Sequence, residues 1–260
     1  SMVRDAIPVA ARGGADVLVR INKPFEMAVA DLDASVWPGL AGIRFPKAEW
    51  AEEIRILDRL IAEREMAREM PVGSVQISVA VETALGLHNA LEIATASPRV
   101  VAISLGAEDF TLDMDVEPSP DGRELLLGKM QVLVVARLAG IQALGTMASM
   151  ADFSDAERVA RLAREARQVG YKGSSCIHPA QVGPLNEGFS FSPEEIERAR
   201  RVVAALEAAE AEGRDAVALD GKMVDIPVAE RARRLLARAE AIARKEARKR
   251  AAVEAATNAG

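Results

Sequence analysis

Polar and apolar positions follow two periods that take turns along the chain. Short apolar runs stand at Val17-Leu18-Val19, Gly42-Ile43-Arg44-Phe45, Val75 to Val81, Val100 to Leu105, Ile141 to Leu144 and Gly173 to Ile177. Runs this short, bounded by Gly, Pro or charged residues, read as strands. Between them apolar residues recur at helical spacing, as Ile54, Leu57, Leu60 and Ile61 do in a segment from Ala48 to about Met70 that Pro71 ends. Further helices are expected over about 4–12, 86–96, 124–139 and 155–169, whereas 113–122 has no period and reads as a loop. Strand and helix in strict alternation predict an α/β fold with a parallel sheet of about six strands. After Pro193 the alternation stops. A helix to Glu212, an irregular stretch from Gly213 to Val224 and a long Ala/Arg/Glu helix from Ile226 to about Ala256 follow. The expected organisation is a catalytic α/β unit over 1–192 and a helical extension over 193–260.

Two of the apolar runs end in carboxylates. Val75 to Val81 runs into Glu82-Thr83, and Val100 to Leu105 runs into Gly106-Ala107-Glu108-Asp109. The carboxyl ends of parallel strands are where such sheets carry their chemistry. Glu82 and Asp109 are twenty-seven residues apart, about one βαβ unit, so their strands are expected to be neighbours. Neighbouring strand-end carboxylates suit a hard divalent cation such as Mg²⁺, which commonly takes one or two carboxylates and fills its other positions with water and substrate. The competing reading of Glu82 is a helix cap, because a carboxylate at a helix N-terminus is stabilising.

Composition narrows the classes. Hydrophobic residues make up 50% of the 260 but aromatic residues only 3%, so the chain lacks the stacking platforms of a single-strand nucleic-acid binder. A formal net charge of −6 argues against nucleic acid as well. One cysteine, Cys176, allows no internal disulfide, and two histidines, His88 and His178, are too few for a histidine metal cage. A cytoplasmic location is expected, with no membrane span. The charged run Arg244 to Arg250 alternates in the manner of a solvated helix face.

The ordered set Val-Arg-Ile-Asn (19–22), Phe-Pro-Lys (45–47), Glu-Thr-Ala-Leu-Gly-Leu (82–87), Leu-Gly-Ala-Glu-Asp-Phe (105–110), Gly-Ser-Ser-Cys-Ile-His-Pro (173–179) and Gly-Lys-Met-Val-Asp-Ile-Pro (221–227) resembles the HpcH/HpaI aldolase and citrate lyase superfamily. The likeness is greatest to its citrate lyase β-subunit-like branch, which includes malyl-CoA and citramalyl-CoA lyases. It implies a TIM-type (β/α)8 barrel that uses Mg²⁺ to cleave a carbon–carbon bond in a coenzyme A or acyl-carrier thioester, retro-Claisen fashion, and that works as a homotrimer. It also implies roles for particular residues: Glu82 and Asp109 as metal ligands, Arg20 as the clamp on the oxoacid carboxylate, and Gly106 and Ala107 as backbone donors beside the metal. Asp225 would be an acid/base residue that a neighbouring subunit contributes. The family's first two strands have no counterpart upstream of Val17, so the chain looks like strands three to eight of an open, incomplete barrel. Two positions depart from the common pattern: Ser174 where many relatives have Lys, and Gly145 where many have Asp.

Several residues keep two readings. Arg20 lies at a strand end among apolar residues, where burial demands a carboxylate partner from either substrate or protein. Lys47 meets a substrate anion or joins an ion pair. Asp225 acts in catalysis or caps the helix after Pro227. Cys176 is expected to pack inside, His178 to be a structural histidine, and His88 to imitate no metal motif. A metal-dependent 2-oxoacid aldolase and an inactive homologue are the alternatives to the lyase.

Overall fold

A computed structural model describes residues 2–150 and 154–258. Two compact units divide at Phe189/Ser190 rather than at residue 192. In the first, helix α1 (Met2–Ala11) leads to β1 (Val17–Arg20), α2 (Phe25–Ser35), β2 (Leu40–Phe45), α3 (Ala51–Ala67) and β3 (Gln76–Val81). Two short helices, α4 (Ala84–His88) and α5 (Ala90–Thr95), then precede β4 (Val100–Leu105). After it come α6 (Ala107–Asp113), α7 (Leu126–Ala139), β5 (Gln142–Leu144), α8 (Ala156–Val169) and α9 (Val182–Phe189).

The five strands are all parallel and lie in the order β1-β2-β3-β4-β5. Consecutive order without reversal is barrel-type winding, whereas a doubly wound sheet reverses at a switch point. Among the described residues this sheet has five strands instead of six. The run from Gly173 to Ile177 makes only a single parallel bridge, Leu144 to Gly173, because Gly-Ser-Ser lacks the branched side chains that hold a strand and Ile177 is exposed. Among the described residues β1 is an edge, paired only with β2, as expected for an open arc.

Strand residues alternate between two faces. Ile43, Phe45, Ile77, Val79, Val81 and Ile103 point one way and are buried in the main core with Leu57, Ile61, Ile93 and Val132 from the helices. The other face carries Arg44, Ser78, Ala80 and Ser104, and continues into Glu82 and Gly106 beyond β3 and β4. This polar inner face is what an apolar reading of the runs overlooks. The expected helix 86–96 is broken at Asn89, whose side-chain amide donates to the Glu49 carbonyl (2.8 Å).

In the second unit α10 (Pro193–Ala211) starts with a capping box between Ser192 and Glu195. The stretch read as irregular is an antiparallel hairpin of β6 (Ala216–Leu219) and β7 (Lys222–Asp225). Asp220 and Gly221, both at positive φ (50° and 71°), form its two-residue turn. The chain ends in α11 (Ile226–Asn258). Val202, Leu206, Val224, Ala229 and Ala232 form this unit's own core.

Candidate active site

Glu82 leaves the end of β3 and turns inward. It is 7% exposed, and its Oε2 is buried with no hydrogen-bond partner. It lies against Gly106 at the end of β4: a Cβ on Gly106 would stand 2.7 Å from Glu82 Cγ. Gly106 thus serves by close approach, not by backbone freedom. Its N–H is spent on the Val81 carbonyl (3.0 Å), which corrects the expectation that both it and Ala107 offer amides to a ligand.

Asp109 sits in the first turn of α6, and its Oδ1 accepts from Lys47 Nζ (2.7 Å). Lys47 follows β2 with a left-handed backbone (φ 49°). Burial raises the Glu82 pKa, and the adjacent Asp109 carboxylate raises it further, while Lys47 and Arg20 oppose both. Asp109 moves the other way, held low chiefly by its bond from Lys47. The Lys47 pKa rises in return. Of two facing carboxyls, one is therefore kept ionised by a lysine and the other is short of donors.

The loops behind them are tied down. Lys23 Nζ bonds both the Lys47 carbonyl (2.6 Å) and Glu49 Oε2 (2.5 Å), and Thr83 Oγ1 bonds Glu49 Oε1 (3.0 Å). Thr83 also accepts from Gly86 N (3.0 Å), capping α4. The cap on that helix is thus Thr83, and Glu82 is left for other work.

Arg20 is exposed at the end of edge strand β1, and its charge reaches Glu82, Asp109, Lys47 and Arg44. Its exposure follows from the place of β1 at the edge of the arc, which leaves that side open. Arg44, which sequence reasoning missed, crosses the inner face from β2 to donate to Ser78 Oγ (3.2 Å) and Ser104 Oγ (2.8 Å). Asp225 belongs to the second unit, where its Oδ1 accepts from Val228 N (3.2 Å) as an N-cap. His178 Nδ1 accepts from Ala180 N (3.1 Å), and His88 is exposed at the end of α4. Cys176 is exposed, not buried, since its segment forms no strand.

The pair fits Mg²⁺. Among the described residues no group of three or more His, Cys, Asp or Glu side chains gathers, and two carboxylates, one with an orphaned buried oxygen, meet that ion's protein requirement. Lys47 bonds one Asp109 oxygen, and the Asp109 carboxyl also faces Glu82.

Comparison with known proteins gives a consistent picture. Residues 2–179 match the HpcH/HpaI aldolase/citrate lyase family. The citrate lyase subunit beta of Escherichia coli (strain K12) is 40% identical over 226 residues, covering 86% of this chain and 74% of that protein. The (3S)-malyl-CoA thioesterase of Cereibacter sphaeroides (strain ATCC 17029) is 33% identical over 87% of this chain and 75% of its own length. Among solved structures, protein CitE from Mycobacterium tuberculosis in complex with magnesium, acetoacetate and coenzyme A superposes with a TM-score of 0.68 at 31% identity, covering 92% of this chain and 87% of that one.

Proposed function

The chain belongs to the HpcH/HpaI aldolase/citrate lyase family, and from that premise we propose that it is a Mg²⁺-dependent carbon–carbon lyase acting on a β-hydroxyacyl thioester. The reaction is retro-Claisen cleavage of a coenzyme A or acyl-carrier thioester, such as citramalyl, malyl or citryl, to a 2-oxoacid and a shorter acyl thioester. The observation that carries this reading is the buried, donorless Oε2 of Glu82 facing the Asp109 carboxylate at neighbouring strand ends.

Glu82 and Asp109 would hold the ion, which when bound supplies Lewis-acid polarisation of the oxoacid carbonyl. Lys47 keeps Asp109 ionised and fixes its rotamer through the 2.7 Å bond. Arg20, exposed and within electrostatic reach of both carboxyls, is placed to take the oxoacid carboxylate as a charge-assisted pair. Ala107, next to Gly106, offers its amide to the substrate. Asp225 serves as the acid/base group, contributed by a neighbouring subunit, so the working unit is a homotrimer in the cytoplasm. Among the described residues no helix is long and apolar enough to cross a membrane.

Calorimetry of Mg²⁺ binding tests the site, and thioester cleavage tests the reaction. Asp109→Asn should weaken Mg²⁺, and citramalyl-CoA or malyl-CoA should be split by the wild type. Equal Mg²⁺ affinity in the two proteins would sink the metal assignment. Aldol reaction of pyruvate with an aldehyde, without thioester cleavage, would favour the 2-oxoacid aldolase.

A further inference from the structure

At the amino end of the strands, away from Glu82 and Asp109, Trp37 stands just before β2 with two guanidinium groups over its ring. The Arg4 Cζ lies 4.2 Å from the ring centroid and the Arg68 Cζ 4.0 Å. Together with Asp5 and Arg12 these residues wall an open cleft of about 870 Å³, a size that suits a small molecule. Arg68 is already committed. Its Nη groups donate to the carbonyls of Leu32, Asp33 (2.7 Å) and Val36, where α2 ends. Arg4 is not. Stacking engages the face of its guanidinium, and among the described residues neither Arg4 nor Arg12 donates a side-chain hydrogen bond or forms an ion pair. Asp5, the one acid in the wall, forms no ion pair there either. Asp33, which faces Arg68, is paired with Arg64 (2.9 Å).

Three guanidinium groups against one carboxylate make the cleft electropositive. Burial lowers the Arg68 pKa, and the charges of Arg64 and Arg4 lower it further against the pull of Asp33, so the cations crowd one another. Because its stack on Trp37 holds Arg4 in place, its planar fork can close on an anion with little further loss of freedom. Arg4 and Arg12 stand eight residues apart, about 12 Å along the helix axis, so two phosphoryl groups match them better than one. Pro8 and Val9, between them on α1, offer apolar surface to an organic part. We propose that this cleft binds a small molecule carrying two phosphoryl groups, a diphosphate or a nucleoside diphosphate, through Arg4 and Arg12. The site lies apart from the carboxylate pair and is independent of the lyase reading.

The test is titration of the full chain with inorganic diphosphate and with ADP, without Mg²⁺ and at constant ionic strength, read by calorimetry and by tryptophan emission. The chain has two tryptophans, so a Trp50→Phe background leaves Trp37 as the reporter. Binding should change the Trp37 emission, and Arg4→Gln and Arg12→Gln should each weaken it about tenfold or more, the scale of one charge-assisted contact. Arg4→Lys keeps the charge but loses the planar fork, so it should weaken binding nearly as much as Arg4→Gln. ADP bound more tightly than diphosphate supports the site with a nucleotide as its ligand, and equal affinity supports it with the phosphate chain alone recognised. Failure of both probes to bind overturns the site. So does binding that Arg4→Lys leaves unchanged, which would mean a diffuse basic surface, or binding that ignores both arginines. Arg12 makes no side-chain bond among the described residues, so Arg12→Gln keeps the test alive if the Arg4 variants do not fold.

Discussion

The two ends of the parallel sheet hold the same kinds of charged groups in opposite states. Just before β4, Arg99 is 4% exposed and wholly engaged. It bonds both oxygens of the fully buried Glu65 (2.9 and 2.6 Å), Asp58 (2.5 Å) and the Val75 carbonyl (3.0 Å). Glu65 in turn accepts from Gly73 N, Val75 N and Ser74 Oγ. Burial alone would raise Glu65, yet these donors hold its pKa below the ordinary value. At the carboxyl end Glu82 has an orphaned oxygen, and among the described residues Arg44 and Lys129 bond only hydroxyl or carbonyl oxygens and form no ion pair. A closed set of charges secures the strands at one end. An open set at the other is where the proposed site lies. That division matches barrel enzymes, where the far end serves stability and the strand carboxyl ends serve chemistry.

Removing one partner from the closed end gives the largest expected effect. Arg99→Met leaves Glu65 buried without its counter-charge and should cost about 3–5 kcal/mol in urea unfolding. Mg²⁺ affinity of the folded fraction should not move. If it falls together with stability, the two ends are coupled and the contrast is broken.

Lys129→Met should do the reverse and stabilise. A shift from the ordinary lysine value to about 8 corresponds to up to roughly 3 kcal/mol of penalty. The folded pKa lies below the unfolded one, so the unfolded chain binds the extra proton between them. The penalty is complete below about pH 8 and fades as pH rises toward ~10.4. Denaturation midpoints should therefore converge between wild type and Lys129→Met as pH rises from 7 to 10. A constant gap would mean that Lys129 keeps its proton in the fold.

Gly106→Ala tests the open end by shape. The new methyl would meet Glu82 Cγ at 2.7 Å and displace it, costing about 1–3 kcal/mol and weakening Mg²⁺. Unchanged Mg²⁺ affinity would free Glu82 from the ligand role.

Much of this was legible from pattern. The apolar runs located the five strands of the parallel sheet, and the carboxylate ends of two of them, because parallel strands stop abruptly in polar residues. Arg44 and Lys129 were not legible as a pair, since only the fold brings strand and helix to one cavity. Lys129 did carry a signal: it shares a helical stripe with Leu125, Val132 and Ala136, all buried. A lysine on an apolar stripe is either buried or misread. The β6–β7 hairpin was missed although Asp220-Gly221 is a strong two-residue turn signal, and α9 was missed because Gly183, Pro184 and Gly188 obscure its period.

Asp225 gives the smallest expected change in stability and the sharpest separation of roles. Its Oδ1 caps α11 through Val228 N, and losing a cap costs about 1 kcal/mol. Asn caps a helix nearly as well as Asp, because capping uses a side-chain oxygen and not a charge. Asp225→Ala should therefore lower stability by about 1 kcal/mol, and Asp225→Asn by only a few tenths. Acid/base work needs the ionisable carboxyl, so thioester cleavage should fall in both variants alike, by about 10²–10⁴-fold. If a neighbouring subunit supplies the group, mixing Asp225→Asn chains with Asp109→Asn chains should restore part of the activity, since a mixed oligomer assembles some intact sites. Full activity in Asp225→Asn would reduce Asp225 to its cap. Loss of activity without recovery, despite proven subunit exchange, would place its action within its own chain.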